Sequence, residues 1–253
     1  MNLHVVSRRR LDGGVLEREF LLGDVPGILW TPVDASETSP VPLVMLGQPG
    51  GLGMHRMRPA LEGRARSASA HGLAAVAIEL PGNGGRPTLP GAESVRAELR
   101  RVLSAGERPG PELVDRLILP LVERAVPEWQ ATLDACFALP ELDGRAVYSG
   151  GVIAIGVRLA VVEPRILAAC LFAGSYIPRA TMSEATAVTM PLHVLLQWDD
   201  DGNDRDASLA LFDAFASAEK TLHANMGGHT GVPAFAGEEV ARFFDRHLAQ
   251  AAD

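Results

Sequence analysis

An α/β fold, with one mostly parallel sheet covered by helices on both faces, is predicted by three observations. Short, continuous apolar runs recur at residues 42–46, 73–80, 146–148, 166–172, 192–197 and 221–224. Runs of that length without polar alternation mark strands buried on both faces, as in parallel sheets. Between several of them lie segments with helical spacing, so strand and helix alternate. Finally, 253 residues suffice for one such sheet to bury roughly three quarters of the unfolded chain's surface without disulfide or metal staples.

The elements follow in order. Residues 15–30 contain two β-like stretches broken at Gly23-Asp24 and Pro26-Gly27, which predicts antiparallel strands opening the sheet. Residues 42–46 and 73–80 supply the next two strands, with a helix over 56–70 between them. From 86 to about 139 no strand is expected. Segments 92–103 and 112–126 read instead as amphipathic helices ended by Gly106 and Pro127, a small helical cap inserted over the strand ends. Leu113, Leu117, Ile118, Leu121 and Val122 form a stripe that lines an apolar pocket or serves as plain core, and Pro120 is expected to kink it. A strand at 146–148, a helix over 152–162 and strands at 166–172 and 192–197 follow. The chain closes with a helix over 206–217, a strand at 221–224 and a helix over 238–249 with Val240, Phe243, Phe244 and Leu248 on one face. An (α/β)8 barrel competes with this reading, but the antiparallel start and the insertion favour an open sheet in a single domain, residues 1–253.

Composition narrows the function. With 23 Lys+Arg against 31 Asp+Glu the net charge is −8, which opposes binding to nucleic-acid phosphates or anionic lipid. Cys136 and Cys170 stand in apolar stretches without CxxC spacing and read as buried thiols in a reducing compartment. The first residues lack the apolar core of a secretory signal, and no run of 18 uncharged apolar residues occurs. A soluble, cytoplasmic protein without nucleic-acid or membrane partners is expected. The oligomeric state stays open, a homodimer being one form such an acidic, apolar-rich chain could take.

Five segments carry the chemistry: 46–56 (LGQPGGLGMHR), 77–86 (AIELPGNGGR), 146–166 (AVYSGGVIAIGVRLAVVEPRI), 195–206 (LLQWDDDGNDRD) and 222–233 (LHANMGGHTGVP). In that order, on those strand ends, they resemble the α/β-hydrolase superfamily, closest to its dienelactone-hydrolase-like and esterase-like branches. The resemblance runs from about residue 40 to 248 and implies a nucleophile, acid, histidine order along the chain. It implies Asp200 as the acid, ahead of its neighbours Asp199 and Asp201, and His229 as the base in its loop of small residues. A carboxylate that accepts the Nδ1 proton leaves Nε2 free as a base near neutral pH.

The nucleophile departs from the family. Its elbow takes Ser, Cys or Asp in G-x-S-x-G, and no such motif is present. Counting back from Glu163-Pro164-Arg165-Ile166 places Gly150 at the nucleophile position, with Ser149 one residue early and Gly151 after it. A one-residue shift would make Ser149 the nucleophile, although Val147 then occupies a small-residue position; otherwise Ser149 is a turn residue capping the next helix. The oxyanion loop also differs. His-Gly is replaced by Gln48-Pro49, and Pro49 has no N–H, leaving Gly50, Gly51 or the Gln48 amide as donors. After the next strand Asn83 stands where the family carries a second histidine. Trp198, beside the acid, either contacts substrate or packs.

Other motifs carry less. Residues 150–156 (GGVIAIG) lack G-x-G-x-x-G, so no dinucleotide is expected. His55, His71, His193 and His223 have no ligand partners at i+2 to i+4, so no metal or other cofactor is expected. Three functions follow. The first is a cofactor-independent enzyme that uses the His229–Asp200 dyad as general base for elimination, cyclisation, isomerisation or C–C bond formation on a small, largely apolar molecule such as a secondary metabolite. The second is a serine esterase, lactonase or thioesterase using Ser149. The third is a pseudo-hydrolase that binds a ligand without turning it over.

Overall fold

The structure is a computed structural model and describes residues 2–174 and 176–250. Its sheet is nine-stranded in the order β1-β2-β3-β5-β4-β6-β7-β8-β9. The strands are β1 (His4–Leu11), β2 (Val15–Leu22), β3 (Val25–Pro32), β4 (Val41–Gly47), β5 (Ala74–Ile78), β6 (Leu142–Gly150), β7 (Ile166–Phe172), β8 (Leu192–Gln197) and β9 (Lys220–Asn225). The first three pair antiparallel, β3 joins β5 antiparallel, and every later pairing is parallel. The open, mostly parallel sheet is therefore the one expected, and the barrel is excluded.

Two departures have clear causes. β1 lacks an apolar face; it carries Arg8, Arg9 and Arg10 along the exposed edge, where charges discourage pairing with another chain. Pro26-Gly27 does not break β3. Gly27 sits inside the strand because the Phe20 ring of β2 fills the space of its missing side chain, 2.2 Å from where a Cβ would be.

The helices are α1 (Met54–Ala70), α2 (Ala92–Ser104), α3 (Pro111–Phe137), α4 (Ile153–Val162), α5 (Arg179–Ala185), α6 (Arg205–Ala214) and α7 (Ala234–Gln250). The 86–139 segment between β5 and β6 carries α2 and α3. α3 runs on through both Pro120 and Pro127, where an end at Pro127 was expected. Each interior proline costs about 3 kcal/mol. Burial of Ile118, Leu121, Val122, Val126, Trp129 and Leu133 in one core cluster offsets that, at about 1.5–3 kcal/mol per large side chain. Arg86 also fixes α3 by donating to both Glu128 oxygens, at 2.7 and 2.6 Å.

The sheet divides the core in two. One face, with Leu43, Met45, Tyr148 and Leu171, is covered by α3 and α4; the other, with Val44, Leu46, Val147 and Cys170, is covered by α1 and by Phe243, Phe244 and Leu248 of α7. Cys136 and Cys170 are buried free thiols, and burial pushes both up to about 12. Among the described residues no helix is long and apolar enough to cross a membrane.

One buried carboxylate ties the antiparallel edge to α1. Glu17 accepts from Trp30 Nε1 at 2.9 Å, from Arg9 Nε at 3.1 Å and from Arg58. Burial pushes its carboxyl up, but these hydrogen bonds outweigh it and hold the group below the usual carboxylate range. A folded-state value below the unfolded one contributes stability that is present above pH ~4.5 and lost as pH falls through the folded value. Glu17→Gln is expected to cost about 2–4 kcal/mol at pH 7 because two guanidiniums and an indole lose a buried partner. Urea denaturation of both proteins from pH 7 to pH 3 should show that difference shrinking as pH falls.

Candidate active site

All the candidate residues lie at the C-terminal ends of the parallel strands, where an α/β sheet presents its loops. β8 and β9 end side by side, with Trp198 N donating to Asn225 O at 2.7 Å. The residues just past β8 then divide the work. Gln197 Nε2 donates to Gly228 O at 2.8 Å. Asp199 accepts from the backbone N–H of both Gly227 and Gly228 at 2.9 Å, and these bonds, Gly228 first, hold its carboxyl below the usual range. Asp200 takes the remaining role: its Oδ2 lies 2.6 Å from His229 Nδ1, while its Oδ1 accepts from Gly202 N at 2.9 Å.

The two partners differ in exposure. The Asp200 side chain is 5% exposed and that of His229 57%. A buried carboxylate on Nδ1 selects the tautomer with Nε2 free. Phe172 supports the imidazole edge-on, with ring centroids 5.8 Å apart. Trp198 is 42% exposed beside the acid, and Arg205 lies over its ring at 4.4 Å.

The turn after β6 is built from two glycines. Gly150 ends β6 with φ +76° and Gly151 follows with φ +78°, both in the left-handed region that glycine tolerates. A Cβ on Gly151 would stand 2.7 Å from Gly47 Cα and 2.8 Å from Gln48 N. A Cβ on Gly150 would meet only the end of Arg64, at 3.2 Å. Ser149 is still in the strand, paired in register with Leu46 and Cys170, on the face covered by α1 and α7. Its carbonyl accepts from Arg64 Nη2 at 2.6 Å. The structure therefore brings Asp200 and His229 together and leaves Ser149 without a hydrogen bond to either.

The oxyanion candidates separate in the same way. Gln48 is buried, and its Nε2 donates to Ile78 O at 2.6 Å. Gly51 N donates to Asn83 Oδ1 at 3.2 Å, and Asn83 Nδ2 donates in turn to Leu52 O at 3.0 Å. Asn83 thus fastens the loop after β4. Gly50 keeps its N–H clear of these contacts, with Val152 and Leu121 nearby. The N-terminus of α4 opens at the elbow, and its Val152 cap provides no side-chain acceptor, so first-turn N–H groups remain available to an anion. Surface cavities of about 320 and 310 Å³ lie at the β2–β3 turn against α3 and between β2, β3 and α1; neither includes the dyad.

Sequence reasoning missed Arg64, and named Asn83 and Asp199 without the roles they take, because those roles depend on contacts distant along the chain. It also missed a cluster of His193, His223 and Glu239, whose donor atoms lie within 4.8 Å of one another. The available signal was strand phase: Leu195 pairs with His223, so His193, two residues earlier, shares its face.

No family model matches the sequence, and no curated protein matches it. Solved structures do. A cold-adapted esterase from an Arctic intertidal metagenomic library, in a PEG-bound complex, is 27% identical over 98% of this chain and 99% of its own, with TM-score 0.74. An acetyl xylan esterase from Paenibacillus sp. R4 is 14% identical over 97% of this chain and 88% of its own, with TM-score 0.63. An esterase from Pyrococcus furiosus is 12% identical over 98% and 100%, with TM-score 0.60. These last two share the fold alone. The described chain has the α/β-hydrolase fold and is an α/β-hydrolase-type enzyme.

The elbow geometry predicts opposite tolerances at adjacent glycines. Gly151→Ala should lose roughly 2–4 kcal/mol, because the new methyl meets backbone at a left-handed φ. Gly150→Ser should lose less, about 1–2 kcal/mol for the left-handed φ, since its Cβ meets only the far end of the Arg64 side chain. Urea denaturation midpoints of the two variants measure the difference.

Proposed function

We propose that this enzyme works as a general base through the Asp200–His229 dyad and forms no serine acyl-enzyme. One observation carries the reading: the His229 Nδ1 to Asp200 Oδ2 contact of 2.6 Å stands beside a turn whose nucleophile position is Gly150. A base oriented in this way removes a proton from substrate and returns it elsewhere, a contribution of typically 10²–10⁴-fold. The Gly50 N–H and the first turn of α4 are the groups we assign to a developing oxyanion. Elimination, cyclisation, isomerisation and C–C bond formation all meet these requirements, and none needs a cofactor.

The substrate we place here is small and largely apolar, in keeping with a secondary metabolite. Trp198, Met226, Val232 and Phe235, all exposed, sit on or next to the loops that carry Asp200 and His229. The net charge of −8 disfavours an anion. We read α2 and the first half of α3 as the cap bordering this surface, since Leu121 approaches Gly50. Two reduced, buried thiols suit the cytoplasm.

A second reading, serine esterase chemistry through Ser149, has the 27% identical esterase in its favour. Against it stands the position of Ser149, still within β6 on the face covered by α1 and α7 and without a hydrogen bond to His229. Intact-mass analysis after fluorophosphonate treatment distinguishes the two. Wild type should show no adduct at Ser149, and any slow hydrolysis of p-nitrophenyl butyrate should fall at least tenfold in His229→Ala and Asp200→Asn while Ser149→Ala stays within about twofold. A Ser149 adduct that vanishes in His229→Ala would transfer the assignment to the esterase.

A further inference from the structure

We propose that His193, His223 and Glu239 form a binding site for a divalent transition-metal ion, zinc foremost, which joins β8, β9 and α7 on the side of the sheet covered by α7. The site is separate from the dyad and rests on side chains that the chemistry above does not use.

Its centre is a buried nitrogen without a partner. His193 is 3% exposed; its Nδ1 meets Thr221 Oγ1 at 3.1 Å, and its Nε2 has no hydrogen-bond partner. Buried polar atoms are nearly always satisfied, and an unmet one costs about 1–3 kcal/mol. The Thr221 hydroxyl fixes the ring, as a second-shell group does for a ligating histidine, and leaves Nε2 as the nitrogen to coordinate. The His223 ring lies 4.3 Å away, centroid to centroid, and its Nδ1 is 2.8 Å from Glu239 Oε2.

The donor set points to a borderline-soft ion. Two imidazoles and one carboxylate suit zinc and its transition-metal neighbours rather than magnesium or calcium, which prefer oxygen alone. Zinc takes donors at about 2.0–2.2 Å, so neighbouring ligand atoms stand roughly 3.3–3.5 Å apart in a tetrahedron. The donor atoms here lie within 4.8 Å of one another, so the set closes by at most about 1.4 Å. His223 and Glu239 can supply that movement, because their side chains are 34% and 30% exposed and not packed in place. The same exposure leaves the fourth position open to water.

The position gives the ion a task. His223 and Glu239 flank the His229 loop in sequence, one on β9 and the other on α7. A metal bond between them closes that loop and lowers the entropy of its open states. Occupancy would thus stiffen the segment that presents the imidazole.

The test uses the full chain after chelator treatment and dialysis. Isothermal titration with Zn²⁺ should give one site per chain, Co²⁺ should develop the visible absorption of a four-coordinate ion, and zinc should raise the melting temperature. Glu239→Gln and His223→Gln, both at half-exposed positions that preserve the fold, should each weaken zinc binding at least tenfold and abolish the cobalt spectrum. His229→Ala should bind zinc as wild type does. Absence of saturable one-site binding overturns the proposal, as does undiminished affinity in both Gln variants. Loss of binding in His229→Ala alone would move the ion to the exposed dyad and equally overturn it.

Discussion

At the ends of β4 and β6 the backbone closes to a distance that admits no side chain, and most of the site is arranged around that contact. A Cβ on Gly47 would lie 2.5 Å from Gly150 O, and one on Gly151 would lie 2.7 Å from Gly47 Cα. Arg64 of α1 locks the approach from one face, its guanidinium donating to Gly47 O at 3.0 Å and Ser149 O at 2.6 Å. Among the described residues no carboxylate forms a salt bridge with it, and burial lowers its pKa, yet a guanidinium stays charged in proteins. The carbonyl ends of two strands serve as its counter-dipoles. Glycine at 47 and 151 is thus a consequence of how closely two strands meet, while Gly150 answers to its left-handed φ of +76°.

The dyad depends on a different economy. Three polar residues at the end of β8 take three separate tasks: Gln197 and Asp199 hold the Gly227-Gly228 backbone, and Asp200 receives the imidazole. Without the first two, the His229 loop has little to define it, since it is rich in glycine and its side chains are exposed. Glycine lowers steric cost and raises entropic cost together. Charge-assisted bonds from Asp199 to two successive amides offset that entropy with one side chain. The imidazole is accordingly presented on a short, pinned loop over Phe172 and not on a rigid element.

Legibility in the sequence followed the physics of each element. β7 and β8 were readable to the residue, because a strand buried on both faces has to be apolar throughout. β1 was invisible, since an edge strand draws its order from one neighbour and shows no apolar face. α3 was cut short at Pro127, where local propensity yielded to the burial of Trp129 and Leu133 beyond it. Asp200 and His229 were readable because each sits at a fixed offset from a strand end. Ser149, Gln48 and Gly51 lie at the ends of β6 and β4, but their hydrogen-bond partners come from Arg64, Ile78 and Asn83, which no local pattern announces.

By itself the sequence determined the α/β class, the strands that form the parallel sheet, the order of acid and histidine, and the absence of a G-x-S-x-G elbow. These are properties of periodicity and of short segments, and burial imposes them residue by residue. Only the tertiary structure decided which face of β6 Ser149 takes, that Asp199 holds the Gly227-Gly228 backbone while Asp200 meets His229, and that His193 and His223 face Glu239. Those outcomes depend on register between strands and on helices laid across them, where a shift of one residue exchanges the two faces of a strand. Direction in a sheet is a collective property, and a single stretch of chain does not contain it.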